Sequence, residues 1–389
     1  MSFWYFFKLG FLFIYTSICA ALAYYIYNGE KKYYEPIFVM KKTGEGKDDE
    51  KRIYLHDEFD ELARKDDPIS YWKIFFGVFT MIFVKLIISI SLAIFFTLKM
   101  FKKFKEKNSK KEKYTKEEIQ AIIEATKKYT SYFLKITGIF YFKTRLPDEK
   151  VLPVYQKYFG PDYKIDYDGK FSCYICNHTS FNDIILAMAI YGCGFISKES
   201  VIRTPIIGKI AQVLQTIFVD RNNPNSRKEV LEKIIQKQKN FLNGEPVIPF
   251  MIFPEGTTTS GRHLLKFKRG AFYSLLPIKP NIVHPNLNPH FHLGCGSTDV
   301  GVNYLRSLTE LFVQTEYIEL PIMTPNDYMK NNFTSYGKED WEIYAEVARE
   351  IMCELGGFKK SDKHYRDSAR YKYCIKNHVY VESDKLKME

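Results

Sequence analysis

Three short stretches combine reactive side chains with the residue types needed to present them. In "NHTSFND", residues 177–183, His178 stands five positions before Asp183. If the chain turns between them, the carboxylate accepts from one imidazole nitrogen and leaves the other as a base. The chain contains no G-x-S-x-G elbow. The nucleophile activated by such a base would then come from the substrate, as a hydroxyl. A buried histidine bonded to a nearby acid is the bland alternative, and for this pair alone it is the commoner arrangement.

Arg221, in "FVDRNN", ends an apolar run with a planar fork of donors suited to phosphate. Lys198, ending "FISK", adds a point charge. Either cation also fits an ordinary surface ion pair. In "FPEGTTTSG", Glu255 is placed to bind a hydroxyl or to support a ring of donors, and Gly256 lets the backbone approach a ligand. Thr257 and neighbouring N–H groups are suited to phosphate oxygens or a developing oxyanion. A Gly-Thr turn with a solvent-facing glutamate is the competing reading.

The elements around these stretches must bring them together. Apolar runs at 171–176, 195–197, 216–219, 247–253, 281–284 and 315–320 read as strands. Amphipathic stretches at 182–191, 204–214, 226–242, 268–276, 304–312 and 339–355 read as helices. The alternation predicts an α/β fold, a central mixed sheet flanked by helices, with membrane-anchoring helices at the amino end. His178, Arg221 and Glu255 each follow a strand, so one rim of the sheet would carry all three. A capping box, Thr115 to Glu118, opens a further helix into this body. Cys173 and Cys176, in "CYIC", lie three apart in a strand and point to opposite faces, which favours buried thiols over a metal or redox pair.

Residues 1–113 read as an anchor region and 114–389 as the catalytic domain. The run 9–27 is uncharged and about as long as a bilayer span, with a signal peptide as its rival because of "ALA" at 21–23. The run 74–98 carries Lys85, so it either spans with the lysine turned toward the interface or lies as a bent or interfacial helix. Eight lysines against two glutamates in 99–113 mark the cytosolic side and attract anionic headgroups. With two spans, the loop 28–70 would face the lumen. Lys385 and Lys387 resemble a dilysine signal for the endoplasmic reticulum. The sequons at Asn177 and Asn332 are expected to stay unmodified in a cytosolic body.

Composition agrees with these assignments. The chain has 389 residues, 46% of them hydrophobic, which excludes a disordered protein. The net charge of +12 favours acidic partners. A basic run beside an apolar segment points to lipid, so no nucleic-acid partner is expected. Seven cysteines without paired spacing argue against a disulfide framework.

In this order and spacing the stretches resemble the glycerolipid acyltransferases. Their first motif, N-H-x-x-x-x-D, is met by Asn177, His178 and Asp183. The second ends at Arg221, and the third, F-P-E-G-T, is met by Phe253, Pro254, Glu255, Gly256 and Thr257. A fourth, hydrophobic-x-Pro, is matched by Ile278 to Pro280. "FPEGTTTSGRHLLKFKRGAF" and "LPIKPNIVHPNLN" look like the lysophosphatidylcholine and lysophosphatidylethanolamine branch. The EF-hands of some relatives there are not matched, so calcium regulation is not expected.

The resemblance implies transfer of a fatty acyl group from acyl-CoA to the free hydroxyl of a lysophospholipid. His178 would serve as base, Asp183 would orient it, and Arg221 would hold phosphate. Glu255, Gly256 and Thr257 would fix the glycerol end. Acyl-CoA is then a substrate, and no bound cofactor or metal is required. The implied partners are lysophospholipid and a membrane, the endoplasmic reticulum in particular. A glycerol-3-phosphate acyltransferase, a CoA-independent transacylase and a non-catalytic lipid-binding protein remain open.

Overall fold

The computed structural model describes residues 3–31, 37–42, 50–55, 59, 70–109, 114–220, 226–284, 294, 296 and 298–381. A five-stranded sheet forms its centre. The strands are β3 (Ile139–Arg145), β4 (Cys173–Cys176), β7 (Met251–Ile252), β9 (Ile278–His284) and β10 (Val313–Glu319), in the order β3-β10-β9-β4-β7. A second pair, β5 (Ile196–Lys198) with β6 (Ile217–Val219), joins it through a parallel bridge between Gly194 and Phe250. Only the β9–β10 pairing in the central sheet is antiparallel.

That single reversal matters for function. β4, β7, β5 and β6 all end at one rim, which carries His178, Glu255 and Lys198. β3 and β10 run the other way, so they begin at that same rim, beside Gly138 and Leu311. The expected mixed sheet and shared strand ends are therefore present. Arg221 lies outside the described residues.

Alternation along the strands sorts side chains between two cores. Cys173, Ile175, Phe250 and Ile252 pack with α5 (Asp148–Phe159), α8 (Ser226–Leu242) and α11 (Asp340–Gly356). Cys176 and Met251 point the other way, toward α4 (Lys116–Thr137), α6 (Asn182–Tyr191) and α7 (Ile207–Val213). Cys173 and Cys176 thus lie on opposite faces. Burial pushes the Cys173 thiol up to about 12 and that of Cys176 well above its ordinary value. The α4 capping box forms as read, with Thr115 N–H donating to Glu118 Oε2 at 3.0 Å.

Two expectations about elements fail. The stretch 268–276 is a short 3-10 turn, Arg269–Ala271, not a helix. Lys268 N–H is drawn to Pro254 O at 2.8 Å, and Leu275 adopts a left-handed φ of 49° just before Pro277. The stretch 28–70, read as a loop, also holds paired strands. Residues Phe38–Lys42 (β1) and Glu50–Tyr54 (β2) form a hairpin. Ile37, Val39, Leu55 and Phe59 bury against Leu265 and against Tyr371, Cys374 and Ile375 of α12 (Tyr365–Asn377). Part of 28–70 therefore packs against the body.

Among the described residues, two helices are long and apolar enough to cross a membrane, Gly10–Lys31 and Tyr71–Lys99. The first lies within α1 (Phe3–Lys31); the second comprises α2 (Tyr71–Gly77), a π turn at Val78–Ile82, and the apolar part of α3 (Phe83–Ser109). The second helix lies along the body. Gly77 abuts Thr309, Lys85 donates to the carbonyls of Glu310 and Leu311, and Phe96 meets Tyr129 at 5.3 Å. Trp72, Phe76, Val84, Ile87 and Leu98 are exposed on its surface. Lys85 turns inward to the carbonyls of Glu310 and Leu311, in the turn after α9 (Val300–Leu308), rather than outward to an interface. The lysine side chains at 102–113 lie outside the described residues.

Candidate active site

β4 ends at Cys176, and the next residue fixes the loop that follows. Asn177 is fully buried and acts as a false backbone unit. Its Nδ2 donates to Val283 O at 3.0 Å while its Oδ1 accepts from Val283 N–H at 2.8 Å. The loop is thereby pinned to β9. This burial also removes Asn177 as a glycosylation acceptor in the folded protein, whereas Asn332 is exposed.

His178 Nδ1 lies 3.0 Å from Asp183 Oδ2, with the imidazole partly exposed at 15% and the carboxylate almost wholly buried. Asp183 accepts further hydrogen bonds from the N–H groups of Thr179 and Ser180, at 2.5 and 2.8 Å, and from both their hydroxyls at 3.1 Å. Every other neighbour of this carboxylate is a donor, so toward His178 it presents only acceptor oxygens. The proton therefore sits on Nδ1, and Nε2 is left with its lone pair. The ring stacks on Phe253 at 4.1 Å, and Phe253 stacks on Phe195 at 5.9 Å. These contacts fix the imidazole plane.

Glu255 stands at the expected rim, but turned inward. It is fully buried, and both carboxylate oxygens are occupied. Oε1 accepts the backbone N–H of His178 and Oε2 that of Leu265, each at 3.0 Å. Both oxygens face backbone donors rather than solvent. It ties the histidine loop to β8 (His263–Leu264) and its neighbour Leu265. Burial pushes the Glu255 carboxyl up to about 8, against the opposing pull of those two N–H groups.

Gly256 has φ 71°, a left-handed conformation that favours glycine, and a Cβ there would collide with the Lys268 side chain. Thr257 is partly exposed beside it. Thr259 N–H donates to His178 O at 2.9 Å, a second clasp between the two motifs. Pro254 is buried, and Pro280 lies within β9 opposite Ile175, inside the sheet rather than at its rim. Lys198 is exposed at the end of β5, three residues beyond Phe195.

The structure thus gathers Asn177, His178, Asp183, Phe253, Glu255 and Gly256 into one unit. Sequence reasoning missed Phe195, Thr259 and Lys268. Lys268 lies against Gly256 with its ammonium 3.4 Å from the centre of the Tyr365 ring, a cation–π contact. The signal for it was the basic "KFKR" run, whose proximity to Gly256 depends on the turn that replaces the expected helix.

Residues 167–284 match the family model described as acyltransferase. Over 194 residues the chain is 29% identical to a lysophosphatidylcholine acyltransferase of Drosophila melanogaster, covering 50% of this chain and 34% of that protein. It is 30% identical over 192 residues to lysophosphatidylcholine acyltransferase 2 of Homo sapiens, covering 49% and 33%. With lysophospholipid acyltransferase LPEAT1 of Arabidopsis thaliana it shares 28% over 183 residues, covering 47% and 46%. The chain spans less than half the length of these curated relatives. Among solved structures it is similar to the 1-acyl-sn-glycerophosphate (LPA) acyltransferase PlsC from Thermotoga maritima, at 18% identity and TM-score 0.39, covering 70% of this chain and 98% of that one.

Proposed function

We propose, from the match of residues 167–284 to the acyltransferase family model, that this chain is an acyltransferase and acylates the free hydroxyl of a lysophospholipid. The names of its relatives supply the acceptor class. The observation that carries the reading is the His178–Asp183 pair, braced on one nitrogen and partly exposed.

In this reading Nε2 takes the proton of the lipid hydroxyl as its oxygen attacks the thioester carbonyl of acyl-CoA. A tetrahedral intermediate forms and collapses. The C–S bond breaks, and the imidazolium returns its proton to the departing thiolate. A positioned base of this kind contributes about 10²–10⁴-fold. Lys198, at the end of β5, and Arg221, two positions after β6 in the sequence, supply charge for the acceptor's phosphate. Gly256 and Thr257 offer backbone close to it, while Glu255 acts from behind by holding the loop.

The enzyme works on a membrane. Support comes from the apolar faces of α1 and α2–α3 and from the docking of Lys85 on the turn after α9, at the rim that carries His178. The endoplasmic reticulum, with the body on the cytosolic side, is the proposed location. Membranes containing the full chain, given labelled acyl-CoA and a panel of lysophospholipids, test the activity. Label should appear in a diacyl product. Absence of transfer to every acceptor would overturn the reading.

A further inference from the structure

Two basic stretches run side by side next to the "FPEGT" loop. β8 pairs in parallel with β11 (Lys359–Lys360), Lys266 N–H donates to Lys363 O at 3.1 Å, and Ser361 N–H donates to Leu264 O at 3.0 Å. Residues 262–269 and 359–370 together carry nine lysines and arginines against two carboxylates, Asp362 and Asp367. Part of this charge is matched locally. Lys266 pairs with Asp362 at 3.5 Å, Arg370 with Asp367 at 3.4 Å, and Lys360 with Glu346 and Glu350. The surplus is positive, and such a patch concentrates anions.

Lys268 joins the patch to the catalytic loop. Its N–H donates to Pro254 O at 2.8 Å and its side chain lies against Gly256, so two points fix it there. Its ammonium stands 3.4 Å from the centre of the Tyr365 ring, and the Tyr365 hydroxyl accepts from Arg366 Nε at 3.4 Å. One tyrosine of α12 thus holds a lysine on its ring and an arginine at its hydroxyl. Lys268 and Tyr365 are partly exposed, and Arg366 is exposed. Tyr365 and Arg366 lie outside residues 167–284, which match the family model.

Charge and position indicate the occupant. An ammionium beside a planar guanidinium suits phosphate oxygens. Leu264 and Phe267 pack into the core on the Cys173 face of the sheet, whereas α3 packs on α4 and α7 of the Cys176 face. The patch therefore flanks the side away from that long apolar helix, where a water-soluble phosphate has access. Of the two substrates, the donor carries its phosphates at the soluble end of a pantetheine arm, well removed from the thioester that must reach His178.

We propose that Lys268 and Arg366, held together by Tyr365, bind the phosphate groups of acyl-CoA and fix the donor's nucleotide end beside the catalytic loop. The inference rests on the acyl-transfer reading above.

The test uses the full chain in phospholipid nanodiscs, with the best lysophospholipid acceptor of the panel. The donors are acyl-CoA and the acyl thioester of pantetheine, which lacks every phosphate. Steady-state kinetics are read for wild type, Tyr365→Leu and Arg366→Gln, the exposed arginine serving should the tyrosine variant fold poorly. We expect KM for acyl-CoA to rise about 10-fold in each variant, with kcat, KM for acyl-pantetheine and KM for the lysolipid unchanged. An unchanged KM for acyl-CoA would overturn the subsite, as would an equal rise for the two donors. A rise confined to the lysolipid would also overturn it, by giving the cations to the acceptor's phosphate. Wild-type protein that transfers no acyl group would sink the acyl-transfer reading instead. The subsite is then read from binding of coenzyme A by titration calorimetry, expected in wild type and weakened about 10-fold in Arg366→Gln. No binding to wild type, or equal binding to both proteins, would overturn it.

Discussion

Glu255 holds His178 by its backbone, the carboxylate Oε1 accepting the His178 N–H at 3.0 Å while Oε2 accepts from Leu265. The acid of the third motif is thus a brace for the residue of the first. Replacing Glu255 by glutamine keeps one carbonyl acceptor but fixes an NH2 group against the second N–H, where the protonated acid presents a hydroxyl oxygen that still accepts. An unsatisfied buried donor costs about 1–3 kcal/mol. Glu255→Gln should lower Tm and kcat while leaving KM for the lysolipid nearly unchanged. A glycerol-binding glutamate would instead raise that KM.

The same burial makes stability depend on pH. The folded-state value of Glu255 is raised from 4.5 to about 8, so the fold favours the protonated acid. Its contribution is complete in acid, below the unfolded value, and is lost as pH rises toward and through about 8. Thermal unfolding of wild type between pH 5 and 9 should show this loss, and Glu255→Gln should flatten that part of the profile.

Asp183 has a double role, since it orients the imidazole and gathers the loop's N–H and hydroxyl donors. Asp183→Asn would turn an amide N–H toward donors and favour the wrong histidine tautomer. We expect kcat to fall about 10²–10⁴-fold, accompanied by a lower Tm measured by thermal denaturation. Loss of activity at unchanged Tm would mean that the loop does not depend on the carboxylate.

Gly256→Ala places a Cβ at φ 71° against the Lys268 side chain. Left-handed backbone costs a non-glycine residue about 1–2 kcal/mol. Chemical denaturation should register a loss of that order, with activity reduced through displacement of the loop.

Asn332 reports on sidedness, whereas Asn177 is buried and cannot. With the body in the cytosol, expression in a eukaryotic host should give a chain whose mass is insensitive to glycosidase. A glycosidase-sensitive shift abolished by Asn332→Gln would reverse the assignment.

Much of this architecture was legible because it depends on local chemistry. The His178–Asp183 spacing, the strand ends at one rim and the Thr115–Glu118 capping box all follow from short-range rules. The remainder depends on contacts that no local pattern encodes. Phe59 stacks on Tyr371, more than three hundred positions away, so residues 37–59 looked like a loop between helices. Glu255 seemed exposed because its partners, His178 and Leu265, are backbone groups with no side-chain signature. β3 escaped notice as an edge strand whose Phe140, Phe142 and Lys143 face outward, giving no buried alternation to read.

The most direct test is acyl transfer by the His178→Ala protein in the same membranes as wild type, at matched Tm and with lysophospholipid and acyl-CoA saturating. The account predicts a fall in kcat of about 10²-fold or more. Transfer at the wild-type rate would contradict it.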